Sequence, residues 1–141
     1  MSNGQTIRVR DEQDIITARM LVRELARARG LSVRDQACIS LATSSLAQIL
    51  FAKIREGKII MEGVKDGGGF MGVRVVCSRV YDGADDRVTP GMFGETRQMV
   101  DELTIERSLS PREIRVSVTR WGPAPDLAQA DAAVSREKTY G

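Results

Sequence analysis

The stretch "DIITARMLVRELARARGLSVRDQACISLATSSLAQIL", residues 14–50, decides the fold. Ile15, Ala18, Val22, Leu25, Ala26 and Ala28 recur at helical spacing, while Arg19, Arg23, Glu24 and Arg27 fall elsewhere on the wheel. The pattern predicts a helix beginning at Asp11 and ended by "RGLS", with Gly30 as its C-terminal glycine. Ser32 then caps a second helix, and Asp35 three residues on completes a weaker form of the capping box. Ile39, Ala42, Leu46, Ile49, Leu50 and Ala52 make the inward row of this second helix, which is expected to run to about Arg55.

Two amphipathic helices in tandem need an apolar surface to cover. Before them, "TIRVR" (6–10) alternates as a short edge strand does. After them, "KIIMEGV" (58–64) and "MGVRVVCSRV" (71–80) read as a hairpin joined by the turn-rich "KDGGG". Val73, Val75 and Cys77 fall on one face of the second strand, with Arg74, Val76 and Ser78 on the other. "YDGADDRVTPGMFG" (81–94) is a long loop. A helix is expected over Glu95–Leu103, bearing Met99, Val100 and Leu103, followed by strands "LTIERS" and "EIRVSVTRW" around the turn "LSPR". The order β-α-α-β-β-loop-α-β-β predicts an α+β two-layer sandwich, a mixed or antiparallel sheet covered on one face by three helices. Residues 1–121 form one domain on this reading, and the Ala/Pro-rich 122–141 a flexible C-terminal tail.

Composition narrows the chemistry. The chain of 141 residues is 42% hydrophobic and 28% charged, ordinary for a globular domain with a core of its own. Its net charge of +2 is small and its 21 basic residues are scattered, which argues against a nucleic-acid footprint. No apolar run approaches the roughly 18 residues that span a membrane. The polar start "MSNGQTIRVRDEQD" has no signal-peptide core, so a cytoplasmic protein is expected. Cys38 and Cys77 sit in apolar elements and are expected as buried free thiols in a reducing compartment, one disulfide being the alternative. With no histidine, Ser-His-Asp and Cys-His nucleophiles are excluded and a zinc site has no support, so no metal ligand is assigned.

The words inside this order resemble the serine-kinase and anti-sigma-factor branch of the GHKL ATPase superfamily, the RsbT-like and RsbW-like switch kinases. Residues 14–50 are similar to that family's opening helix pair. "GMFGETRQMVDELTIERS" (91–108) resembles its glycine-rich lid, following helix and next strand, and "EIRVSVTRW" its last strand. The resemblance covers about residues 6–121 and implies a GHKL/Bergerat-like fold.

The family's catalytic words are altered. Where such kinases carry a Glu and, four residues on, an Asn that holds Mg²⁺, this chain has Ser45 and Ile49. Gln48 stands one position early, about 100° round the helix. The strand that should end in D-x-G-x-G places Arg79 at the Asp and Tyr81 at the first Gly, keeping only Gly83. Arg cannot accept the adenine amino group. Asp82 could take that role if the chain slips by three residues. The lid keeps Gly91 and Gly94 but puts Phe93 between them and Glu95 after them, where a carboxylate opposes a triphosphate. The Gly-Thr that usually opens the last strand is replaced by "PREIRV".

No catalytic residue is therefore assigned. The resemblance implies a regulatory binding module, a pseudo-kinase in partner-switching signalling, that needs no cofactor. Its partners would be a STAS-domain antagonist, a sigma factor or a PP2C-type phosphatase, and a homodimer is also expected. The alternative is an atypical ATP- and Mg²⁺-dependent protein-serine kinase using Asp82, Asp85 or Glu95. For Ser45, a phosphorylation target or residual Mg²⁺ contact stands against a small residue facing a closed pocket. Arg79 is expected to pair with Asp82, Asp85 or Asp86. Arg19, Arg23, Arg27 and Arg29 form either a solvated face of the first helix or the dock for an acidic partner.

Overall fold

The structure, a computed structural model, describes residues 4–52, 57–81 and 88–123. Its elements are β1 (Gln5–Val9), α1 (Glu12–Ala28), α2 (Val33–Leu50), β2 (Gly57–Lys65), β3 (Met71–Val80), a 3-10 turn (Pro90–Phe93), α3 (Gly94–Gln98), β4 (Glu102–Leu109) and β5 (Arg112–Trp121). Of the expected tail, 122–141, the residues from 124 onward lie outside the described residues, and the Gly122 N–H bonds the Met71 carbonyl at 2.8 Å.

Side-chain chemistry starts and stops the helix pair as the sequence predicts. The Asp11 carboxylate accepts the Asp14 N–H at 3.1 Å, and Ser32 Oγ accepts the Asp35 N–H at 3.0 Å. At the end of α1 the Leu31 N–H reaches the Ala26 carbonyl and the Gly30 N–H reaches that of Arg27, both at 3.0 Å. This arrangement needs φ of +84° at Gly30, which only glycine adopts without strain.

The five strands form one antiparallel sheet in the order β1-β2-β3-β5-β4. Its register aligns apolar residues across the strands: Ile59 pairs with Cys77, Cys77 with Val116, and Val116 with Ile105. One step along, Met61, Val75, Val118 and Leu103 line up in the same way. These two rows join Ile15, Val22, Ile39, Leu46 and Leu50 of the helix pair in a single core, with α1 and α2 packed together. The α+β sandwich holds, and the sheet is antiparallel throughout.

Two boundaries differ from expectation, and two expected core positions are exposed. The α2 helix ends at Leu50, not near Arg55 (itself outside the described residues), and Ala52 is exposed. The chain must leave the helix early because Gly57 already pairs with Val9 on one side and Arg79 on the other. Phe51 then lies so close that a Cβ at Gly57 would stand 2.1 Å from its ring. The helix expected over 95–103 is only Gly94–Gln98, because the β4 ladder takes over: Asp101 N–H bonds the Thr119 carbonyl at 2.8 Å, and Leu103 pairs with Val118. Ala28 is exposed, the last buried residue of α1 being Ala26.

One charged pair joins three elements. Asp35 Oδ1 accepts from Arg120 Nε at 2.9 Å and from Nη2 at 2.8 Å, both side chains being under one-fifth exposed. Arg120 Nη1 also donates to the Met99 carbonyl at 3.3 Å, so the start of α2, the end of β5 and the end of α3 share one guanidinium. Burial opposes that charge, but the Asp35 hydrogen bond, with Cys38 and Asp101 nearby, outweighs it and holds Arg120 above its ordinary range. Both cysteines are free: Cys77 is buried as expected, whereas Cys38 is only half-buried. Burial pushes the Cys77 thiol far up, so it stays protonated at physiological pH.

Two outcomes follow. Asp35→Ala and Arg120→Met should each destabilise the fold by about 2 kcal/mol in urea titrations, with the double variant costing less than the sum. Strict additivity would show that the pair is not coupled. A disulfide-exchange reagent should modify Cys38 in the native protein and reach Cys77 only on unfolding; two thiols reacting equally fast would contradict the packing of β3.

Candidate functional site

The positions that the resemblance assigns to catalysis lie where α2 meets the strap formed by the 3-10 turn and α3. Ser45 faces this strap: its hydroxyl is 2.7 Å from that of Thr96, which is fully buried. Phe93, between the turn and α3, is fully buried as well and belongs to the same apolar cluster as Leu46 and Leu50. Ile49 is partly buried and packs against that cluster. The strap is thus held against α2 by one hydroxyl pair and one aromatic anchor, and at its far end by Arg120 on the Met99 carbonyl. Arg107 Nη2 donates to the Val88 carbonyl and fixes the entry to the turn.

The other assigned positions are dispersed. Gln48 is exposed and lines a different groove of about 320 Å³ with Val9, Asp11, Ile15, Ala47 and Phe51, pointing away from the strap. Its one-position offset from Ile49 accounts for this. Arg79 is the ninth residue of β3 and shares the helix-covered side of the sheet with Cys77; its Nη1 donates to the Val80 carbonyl at 3.4 Å. Asp82, Gly83, Asp85 and Asp86 lie outside the described residues, and with them the expected Arg79 pairings. Gly91 sits in the 3-10 turn, Gly94 opens α3, and Glu95 is exposed in its first turn. Tyr81 is half-buried, and its hydroxyl donates to the Ser108 carbonyl at 3.1 Å.

On α1, Arg23 and Arg27 are exposed and Arg19 is half-buried, its carbonyl accepting from Ser40 Oγ at 3.4 Å. Arg29 does not belong to that face. It folds inward, donating through Nη2 to the Val64 carbonyl at 2.8 Å and approaching Met71 Sδ at 3.7 Å. It follows the last residue of α1, where the terminating turn redirects the side chain over the β2–β3 hairpin. Exposed Ile16 and Met20 share α1 with the arginines.

Sequence reading missed Thr96 and the reach of Asp35. A threonine two residues into a glycine-flanked segment carries no signal of burial, and Asp35 was explained by capping alone. Phe93 did carry a signal: a large apolar residue in an otherwise polar, glycine-rich stretch needs a core to enter. Among the described residues no cluster of His, Cys, Asp and Glu could hold a metal ion, and no helix is long and apolar enough to cross a membrane.

No protein-family model matches the chain. Over 86 residues it is 33% identical to the serine/threonine-protein kinase RsbT of Bacillus subtilis (strain 168), a match covering 61% of this chain. The matched part spans 64% of that relative's length. The match supports a relationship of the chain to the RsbT- and RsbW-like switch-kinase branch of the GHKL ATPases, and the elements follow the order that the sequence predicts.

Proposed function

We propose that this protein is a regulatory binding module of the partner-switching type, recognising a protein partner without turning over ATP. The observation that carries the reading is the burial of Phe93 beside the Ser45–Thr96 hydrogen bond. Coordinating Mg²⁺ between phosphates takes oxygen ligands in a solvated or charge-lined site. Ser45 and Ile49 bring no carboxylate or amide to this place, and an apolar ring occupies the core beneath the strap. Residues of this kind at these two positions support a module that does not hold ATP and Mg²⁺.

The partner classes are those of switch-kinase signalling: a STAS-domain antagonist, a sigma factor or a PP2C-type phosphatase. The exposed arginines and apolar residues of α1 (Arg23, Arg27, Ile16 and Met20) suit a partner that brings acidic and apolar side chains together. A second copy of the chain is a further candidate partner.

The similarity to a serine/threonine-protein kinase favours a second reading, an atypical protein-serine kinase that keeps nucleotide binding. Calorimetry with ATP and Mg²⁺ separates the two. The binding-module reading expects no measurable heat at ligand concentrations up to about 1 mM, where even a 4 kcal/mol interaction would register. Micromolar binding, or transfer of the γ-phosphate to a STAS-domain protein, would establish the kinase instead.

A further inference from the structure

The sheet ends in two unlike edges. Among the described residues nothing pairs with the outer side of β1 or of β4, so each leaves a row of backbone N–H and C=O groups open. Both edges also leave apolar residues of the core half-covered: Ile7 on β1, Leu103 and Ile105 on β4. On the opposite face of the sheet the two edges carry opposite charge. Arg8 is exposed on β1, and the next strand places Lys58 directly beside it. Glu102 and Glu106 are exposed on β4. Glu102 accepts from Trp121 Nε1 at 2.9 Å through one oxygen, which leaves the other for a second donor. The β4 strand contains neither proline nor glycine to blunt its edge.

These charges decide which edges suit each other. A two-fold pairing of β4 with β4 brings the glutamates of both copies onto one face, and a pairing of β1 with β1 brings arginines together; like charges across strands destabilise. Pairing β4 with the β1 of another copy instead sets the glutamates against Arg8. Direction allows it too. Four antiparallel steps separate β1 from β4, so the two strands run the same way, and a second copy with its helices on the same side offers its β1 parallel to β4. Alternation and charge together select the register. With Ile7 beside Leu103 and Val9 beside Ile105, Arg8 falls beside Thr104 and diagonal to both Glu102 and Glu106, within reach of its long side chain.

We propose that β1 and β4 are the two halves of a head-to-tail interface between copies of this chain, each β4 taking the β1 of the next copy as a further strand of its sheet. The interface joins unlike surfaces, so growth passes beyond two copies, to a ring or an open filament. The half-covered Ile7, Leu103 and Ile105 complete their burial in it, and the charges on the other face keep each edge from pairing with itself. The proposal gives a surface to the second copy named above as a candidate partner, and it stands apart from the question of nucleotide. ATP binding would overturn the binding-module reading and leave the assembly standing; a chain that stays monomeric would do the reverse.

The test is sedimentation velocity on the full chain across a range of protein concentration, at low and at high salt, beside two charge reversals, Arg8→Glu and Glu102→Lys/Glu106→Lys. All three positions are exposed, so both variants should keep the circular dichroism spectrum of the natural chain. The natural chain should sediment as a series extending past the dimer, and salt should shorten the series because the paired charges lie near solvent. Each variant alone should associate roughly tenfold more weakly or worse. Mixed in equal amounts the two should assemble again, since each then offers the other an oppositely charged edge. Monomers at up to about 1 mM protein, growth that stops at two copies, a variant that assembles as the natural chain does, or a mixture that stays monomeric would each overturn the interface.

Discussion

The structure depends on α2 being buried on more than one side. It packs against α1, against β3 and β5, and against α3 at once. Ile39, Ala42, Leu46 and Ala47 are fully buried and Leu50 nearly so, and the polar Gln36, Ser40 and Thr43 are buried among them. Each buried polar group is satisfied locally: Gln36 Nε2 donates to the Leu31 carbonyl, Ser40 Oγ to that of Arg19 and Thr43 Oγ1 to that of Ile39. An unpaired group at any of these places would cost on the order of 1–3 kcal/mol. A helix so enclosed has little freedom to move, and it sets where everything around it sits.

This enclosure constrains which side chains the margin of α2 can carry. Ser45 and Ile49 occupy the side that meets α3, half-buried at the margin of the core. A Glu and an Asn there would need water, metal or phosphate around them, because closing an apolar strap over an ionised carboxylate is heavily penalised. A hydroxyl needs one partner and finds it in Thr96; an isoleucine needs none. With those two residues the strap can close dry, and Phe93 can complete the core. The packing of the strap and the chemistry of the helix are therefore one property, set by the same positions.

How much of this is legible in the sequence differs by level. The helix pair could be read because its caps and its glycine act within a few residues: Asp11 on Asp14, Ser32 on Asp35, and Gly30 between Arg27 and Leu31. The strands could be read because alternation survives in "MGVRVVCSRV" and "EIRVSVTRW". The short α3 could not, since its length is set by β4 pairing with β5 from Glu102 onward, a contact between distant parts of the chain. Arg29 misled for the same reason. It belongs by periodicity to an exposed basic face, yet it follows the helix's last residue and is claimed by the Val64 carbonyl. The site residues divide likewise: which side of α2 a residue lies on follows from spacing, whereas Thr96 opposite Ser45 is 51 positions away and unreadable from local pattern.

Similarity to a kinase and a strap packed down on α2 are compatible on physical grounds. Volume and apolar pattern in a close-packed core constrain every neighbour, so changes there are felt across the fold. Two polar residues at the margin of that core carry chemistry but little packing, and replacing them leaves helix and sheet in place. The similarity to RsbT is accordingly expected to reside in the frame that α2 organises. Beside α2 this frame presents the exposed Met92 and Glu95 over the buried ring of Phe93.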